Sequence, residues 1–341
     1  MSKLRVAVIG CGSIARYRHL GEYANHSAVD IVAVCDIVEK RAQKTAQQYG
    51  AKAYTDYKNL LEVEKIDAVS VCLPNYLHAP VSIAALEAGC HVLCEKPMAT
   101  SKEEALEMIN AAKSHDKKLM IAHNQRFVPS HTKARALIAS GEVGKIYSFR
   151  TAFGHGGPEG WSIDGKDSWF FNKEQAFIGA MGDLGVHKAD LLRYLLGEEF
   201  VEVAGFIETS AKENTDVDDN AVCILKSESG VIGTLAASWA YTAKEDNSTI
   251  IYGDHATLRL EDNPNYSLIV QYKNGETVNY ELGGIQSNAE GGQTTTHIID
   301  HFVESIVQDT EPLINGVEGM KSLEVILAAL ESMETKQFTR I

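Results

Sequence analysis

The first strand of this chain runs directly into a glycine turn, and that junction limits the folds open to it. Leu4–Ile9 is a short apolar run, followed without a gap by Gly10-Cys11-Gly12-Ser13-Ile14-Ala15 at the start of a helical stretch. Between a strand and a helix, G-x-G-x-x-A predicts a pyrophosphate site. Gly10 permits the tight turn, Gly12 lets the backbone approach a phosphate, and Ala15 is small enough for close packing of helix on strand. Ser13 and Ile14 stand at the helix N-terminus, whose free amides and positive partial charge favour an anion.

The next hundred residues repeat the same alternation. Apolar strands are expected at Asp30–Cys35, Ala68–Leu73, His91–Cys94 and Leu119–Ala122. Near-continuous apolar strands imply burial on both faces, as in a parallel sheet. Val81–Ala88 is apolar at helical spacing, and Ser101-Lys102-Glu103-Glu104 is a capping box that opens a helix to about Ser114. Alternating strands and helices mean βαβ units and a doubly wound α/β sheet over residues 1–123.

After residue 124 the pattern changes. Helices are expected at Pro129–Ser140, Met181–Leu196, Thr294–Gln308 and Gly316–Thr335, with a strand at Lys145–Phe153. From Val201 to Leu282, strand signals recur about every ten residues: Val201–Glu208, Asn220–Ser227, Val231–Trp239, Ser248–Tyr252, Ala256–Leu260, Ser267–Tyr272 and Glu276–Leu282. Asn274-Gly275 marks a hairpin. Residues 124–341 therefore read as a second α/β domain with an open, mostly antiparallel sheet.

At 341 residues the chain suits two cores, and its 45% hydrophobic and 23% charged residues are ordinary for a globular protein. A net charge of -14 with no basic stripe argues against nucleic acid and anionic membranes. The six cysteines (Cys11, Cys35, Cys72, Cys90, Cys94, Cys223) show no C-x-x-C and no zinc spacing, and read as buried, reduced thiols. With no leader segment and no apolar run of bilayer length, a cytoplasmic setting is expected.

Several loops should share one crevice beyond the carboxyl ends of the strands. Asp36 ends the second apolar strand, 24 residues after Gly12. Its carboxylate suits the ribose hydroxyls and repels a 2′-phosphate, so NAD is favoured over NADP. Nearby Arg41 weakens that preference, and Asp36 also suits a helix cap. Pro74, Asn75 and His78 follow one strand; Glu95, Lys96 and Pro97 follow the next. Proline holds Lys96 in an extended backbone, which aims the side chain, and the bond itself admits a cis form.

These pieces, with Asn124-Gln125-Arg126-Phe127 and Asp183-Leu184-Gly185-Val186-His187-Lys188-Ala189-Asp190, resemble the glucose–fructose oxidoreductase / inositol 2-dehydrogenase (Gfo/Idh/MocA) family along nearly the whole chain. The resemblance implies a Rossmann domain, a C-terminal domain with an open sheet, and nicotinamide chemistry on sugars or cyclitols. It implies that Lys96, Asp183 and His187 are catalytic, that Arg126 and Asp190 line the substrate site, and that dimers or tetramers form on the open sheet. Many members carry a glycine triplet before the aspartate; here the run is Phe177-Ile178-Gly179-Ala180-Met181-Gly182.

The chemistry follows from the residues too. Oxidising a secondary alcohol removes a hydride from carbon and a proton from oxygen. Histidine suits the proton. Asp183 and His187, four apart, share one helix face, so the carboxylate is expected to orient the imidazole, with Asp190 continuing that face. Lys96 is expected to hold the hydroxyl and stabilise developing alkoxide charge. Trp169, His155 and Tyr241 are weaker sugar-contacting candidates, and His123 reads equally as core. His297 and His301 lie one turn apart, but no third ligand accompanies them, so no metal is expected. The expected function is NAD(P)-dependent oxidoreduction of a sugar, sugar derivative or inositol-like polyol. A glycoside hydrolase using transient oxidation and a non-catalytic nucleotide sensor are the rivals.

Overall fold

The computed structural model describes residues 3–286 and 293–341. Its N-terminal half is a six-stranded parallel sheet with strand order β3-β2-β1-β4-β5-β6. The strands are β1 (Leu4–Ile9), β2 (Val29–Cys35), β3 (Lys52–Tyr54), β4 (Ala68–Val71), β5 (His91–Cys94) and β6 (Leu119–Ile121). Strands β1, β4 and β5 end in side chains sealed from solvent, as burial between two helix layers requires. The strand order reverses between β1 and β4, so a crevice opens there beyond the carboxyl ends. Strand β3 gave no sequence signal because Lys-Ala-Tyr is an exposed three-residue edge strand. Ser101 caps its helix by accepting a hydrogen bond from the Glu104 amide, but the Glu104 carboxylate reaches back to Thr100 rather than to Ser101.

The second half is a nine-stranded sheet in the order β14-β13-β12-β11-β7-β10-β9-β8-β15. Strands β7 (Ile146–Gly154) and β10 (Ile232–Ser238) are parallel neighbours. Every other pairing is antiparallel, including β8 (Phe200–Glu208) with β9 (Asn220–Ser227) and β9 with β10. The remaining strands are β11 (Thr249–Gly253), β12 (Ala256–Leu260), β13 (Leu268–Tyr272), β14 (Thr277–Tyr280) and the two-residue β15 (Thr339–Arg340). In β9, buried and open side chains alternate strictly, which leaves one face of the sheet bare. Phe206 (76% exposed), Val222, Ile224 and Ile232 stand on that bare face.

The division at residue 123 is crossed by the chain's end. Ile298, Phe302 and Val303 belong to the core of the N-terminal sheet, and Ile314 hydrogen-bonds to β6. The 20-residue helix Gly316–Thr335 then packs on β6 and on β8, tying both halves together. A side chain at Gly319 would meet Ile121 at 2.4 Å, so that helix lies against β6 at glycine distance. All six cysteines are buried and unpaired. Among the described residues no helix is long and apolar enough to cross a membrane.

Candidate active site

One cavity of about 750 Å³ spans the crevice, running from the glycine turn to the N-terminal part of the Met181–Leu196 helix. At its cofactor end Gly10 has φ +96°, and a Cβ there would fall 2.1 Å from the Cys72 carbonyl oxygen. At Gly12, by contrast, the Cβ position has nothing within 4 Å, so bare backbone faces open space, as a phosphate cradle needs. Ser13 and Ile14 line the same space. The helix that follows starts with a π turn over Ala15–His19, which directs Arg18 and His19 inward. These residues fit a dinucleotide.

Asp36 lines the cavity too. Its carboxylate accepts the amide protons of Cys11 (3.0 Å) and Val38 (2.9 Å), so it braces the glycine turn as well as facing the cavity. The Arg41 guanidinium lies 3.8 Å from Asp36 and pairs more closely with Asp164, at 2.8 Å. Asp164 belongs to a loop of the second domain that lies across the cleft. The Ser13 hydroxyl donates to the Trp161 carbonyl (3.1 Å) and accepts from the Ile163 amide (2.8 Å), which fastens that loop over the turn.

Pro74, Asn75 and His78 line the wall after β4. Asn75 donates to the Ala176 carbonyl across the domains, and the His78 ring sits between the Pro97 and Leu73 carbonyl oxygens. Glu95 is buried against Arg18 (3.0 Å) and His19 (2.7 Å). Burial opposes its charge, but Arg18 and His19 outweigh it and hold the carboxyl at about 2.

Lys96 sits at the end of β5, joined to Pro97 by a cis peptide. Its side chain is only 12% exposed, and its ammonium donates to Asp183 Oδ1 (2.7 Å) and to the Asp183 carbonyl (3.0 Å). The other carboxylate oxygen accepts from the indole N–H of Trp239 at 3.2 Å. This corrects the expected carboxylate–imidazole pair: Asp183 holds Lys96, not His187. An ammonium outcompetes a neutral imidazole for a buried carboxylate. His187 lines the cavity with no hydrogen-bond partner among the described residues, and its Nδ1 is sealed from solvent. Burial, reinforced by Lys96, His123, Arg18 and Lys188, pushes its basicity well below the ordinary histidine range.

Arg126 and Asp190 do not line the cavity, which corrects their placement against substrate. They form a buried two-pronged ion pair (2.7 and 2.8 Å) behind the site, extended by Glu318 and Arg193 to the long C-terminal helix. The Arg126 Nε and Nη2 donors are taken up by Asp190 and Glu318, a two-pronged match of guanidinium to carboxylate. Their neighbours Asn124 and Gln125 line the cavity instead. Trp169 lines it and stacks on Phe170 with ring centres 3.9 Å apart, and His155 lines it beside Trp161. Tyr241 does not; its ring packs on Gly154. His123 stands edge-on to His187 at 6.1 Å with neither nitrogen paired. His297 bonds Asp300, whereas His301 accepts from the Leu313 amide, so the two do not converge.

Sequence reasoning missed Arg18, Trp239 and Asp218. Arg18 carried one signal, its place on the helix that opens at the glycine turn. Trp239 and Asp218 carried none, because they meet Asp183 and its helix only through strand pairing far along the chain.

Residues 4–123 match the oxidoreductase family with an NAD-binding Rossmann fold (GFO/IDH/MocA), and residues 131–259 match the GFO/IDH/MocA C-terminal domain. The D-glucoside 3-dehydrogenase of Escherichia coli K12 is 38% identical over 198 residues, covering 58% of this chain and 55% of that protein. The levoglucosan dehydrogenase of Pseudarthrobacter phenanthrenivorans is 30% identical over 278 residues, covering 74% and 68%. A solved levoglucosan dehydrogenase in complex with NADH and levoglucosan superposes with a TM-score of 0.85 at 26% identity, covering 100% of this chain and 99% of that one.

Proposed function

The chain belongs to the GFO/IDH/MocA oxidoreductase family, with an NAD-binding Rossmann fold at its N-terminus, and on that premise we propose that it moves a hydride between NAD and a secondary hydroxyl of a sugar, sugar derivative or inositol-like polyol. One observation carries the reading. At the inner end of the cofactor cleft, the Lys96 ammonium, the Asp183 carboxylate and an unpaired His187 imidazole meet in one cavity.

Gly10, Gly12, Ser13 and Ile14 would hold the pyrophosphate, Asp36 the adenosine ribose, and the Pro74, Asn75, His78 and Glu95 wall the nicotinamide half. When bound, the nicotinamide accepts the hydride. Lys96 donates a hydrogen bond to the reacting oxygen and stabilises the negative charge that develops there. Asp183 fixes the direction of that ammonium. His187 Nε2 is the ring nitrogen left to take the hydroxyl proton, because Nδ1 is sealed away. Burial and the neighbouring cations keep this imidazole neutral, with its acceptor nitrogen free, across the neutral pH range, and the same effects weaken it as a base, so proton transfer to it goes with hydride departure. Trp161, Trp169 and Phe170 present apolar faces on which a sugar ring can lie, and they exclude water. Arg126 and Asp190 act from behind, by anchoring the helix that carries His187.

A second copy of the chain is the partner best suited to the bare sheet face. Phe206 lies opposite Val222, and Val222 opposite Ala236, so an apolar stripe runs across β8, β9 and β10. The acidic net charge and unpaired cysteines support a small-molecule enzyme of a reducing, cytoplasmic setting.

The test is a panel of glucosides, anhydro sugars and inositols offered with NAD and with NADP. We expect reduced nicotinamide to accumulate with at least one neutral polyol and faster with NAD. Release of an aryl leaving group without net NADH would favour the hydrolase, and binding without any turnover would favour the sensor.

A further inference from the structure

Among the described residues the Asp183 carboxylate has two donors, and only one of them belongs to the reacting set. The second is Trp239, fully buried, whose indole N–H reaches Oδ2. Trp239 directly follows β10, and its own amide donates to the Asp219 carbonyl at 2.7 Å. Asp219 and Asp218 directly precede β9. Asn220 and Ser238 are cross-strand partners, so these residues lie side by side at one end of the β9–β10 hairpin.

Asp218 grips the other end of the same segment. Its carboxylate accepts the amide protons of Gly179 (2.7 Å) and Met181 (2.8 Å), and its carbonyl accepts that of Ala180 (2.9 Å). Three successive amides at the start of the helix are thus satisfied by one residue, as a helix N-terminus demands. The fit leaves no slack: a Cβ at Gly179 would fall 1.8 Å from the Asp218 carbonyl oxygen. The gripped residues open a π turn, Met181–Gly185, and Asp183 sits inside it. Single π turns are uncommon and persist where surrounding contacts hold them.

We propose that Trp239 and Asp218 are positioning residues that aim the Asp183 carboxylate, and through it the Lys96 ammonium, at the reacting oxygen. Asp218 sets the π turn that presents Asp183. Trp239 fixes the rotation of its carboxylate, so that Oδ1 is the oxygen turned to Lys96. The inference rests on Lys96 and Asp183 being the reacting pair. A carboxylate held by a single donor swings about its side-chain bonds, and small displacements of a reacting group cost rate steeply.

The experiment uses the full chain with NAD and the best substrate of the panel. Trp239→Phe keeps an aromatic ring and removes the donor; Asp218→Asn keeps the shape and loses one of two acceptors. Both should bind NADH as the parent does, by nicotinamide fluorescence. Both should lose about 10- to 100-fold in kcat, the span usual for groups that orient a reacting residue, with KM changed less than about 2-fold. In an Asp183→Ala background, Trp239→Phe should change kcat less than about 2-fold, because its effect runs through the carboxylate. If Trp239→Phe does not fold, benzothienylalanine placed at position 239 keeps the bicyclic shape without the N–H, and the same losses are expected. Parental kcat in the Trp239 variant, or an equal loss with and without Asp183, would overturn the proposal and leave the ring as packing. Parental turnover in Lys96→Met would instead overturn the reading beneath it.

Discussion

Lys96→Met separates the two roles assigned to the lysine, because methionine matches its length and apolar stem but carries no donor. Two consequences differ in size and kind. The reacting oxygen loses its charge-stabilising donor, a change worth about 100- to 1,000-fold in kcat when one such donor is removed. Asp183, 7% exposed at its side chain, loses an ammonium 2.7 Å away and keeps only the indole N–H. Stranding one partner of a buried pair costs about 3–5 kcal/mol, and the remaining donor places this case near ~3 kcal/mol. NADH affinity should hold within about 3-fold, since the ammonium is directed at Asp183 rather than along the cleft wall. The assay combines NADH fluorescence titration, single-turnover kinetics and urea unfolding. Lys96→Met/Asp183→Asn should recover most of the lost stability, because removing both charges leaves none unpaired, and should recover no turnover. A single variant within about 10-fold of parental kcat would refute the role of Lys96 as charge stabiliser. A double variant no more stable than the single would refute the stranded-carboxylate argument.

Other perturbations probe separate parts of the molecule. Asp36→Ala should narrow the preference for NAD over NADP, read as a ratio of kcat/KM values, and should weaken both cofactors because the glycine turn loses a brace; an unchanged ratio would leave Asp36 as a brace alone. Phe206→Arg should shift the chain towards monomer in light scattering, and an unchanged mass would show that the bare face is not the contact. Burial pushes the Asp218 carboxyl up to about 6, against the opposing amides of Met181 and Gly179. The folded state therefore keeps a proton that the unfolded chain releases near ~3.9. Stability from this group falls by roughly 2–3 kcal/mol as pH rises from about 4 to about 6. Asp218→Asn should flatten that stretch of the stability profile, and an unchanged slope would contradict the assignment.

What the sequence revealed and what it hid have physical reasons. β1, β5, β9 and β12 match their expected bounds residue for residue, because buried or strictly alternating side chains write a period into the chain. The edge strands Lys52–Tyr54 and Thr339–Arg340 bury too little to leave one. The glycine turn and Lys96 were legible because backbone constraints tie residue type to place. The partner of Asp183 was not. Four-residue spacing put His187 on the same helix face, yet spacing says nothing of which group across the crevice competes for the carboxylate. There Lys96 and Trp239 take it, and both arrive from other elements. Arg126 and Asp190 show the reverse case: their motif fits a ligand site, but the fold turns them towards each other and towards Glu318. The closing helices joined the N-terminal core for a reason the sequence held only as apolar spacing, since Ile298, Phe302 and Val303 name no partner until the Leu20–Asn25 helix and the core around it are in place.

The central claim is hydride removal from a sugar carbon by a Lys96-dependent site. Its most direct measurement is label transfer. A ring-deuterated glucoside that is active in the panel is mixed with NAD and the wild-type chain, and the nucleotide is weighed by mass spectrometry. One deuterium is expected in the reduced nicotinamide for each sugar oxidised, with a rate lower by about 100-fold or more in Lys96→Met. Unlabelled reduced nicotinamide, or labelled product formed as fast without Lys96, would contradict it.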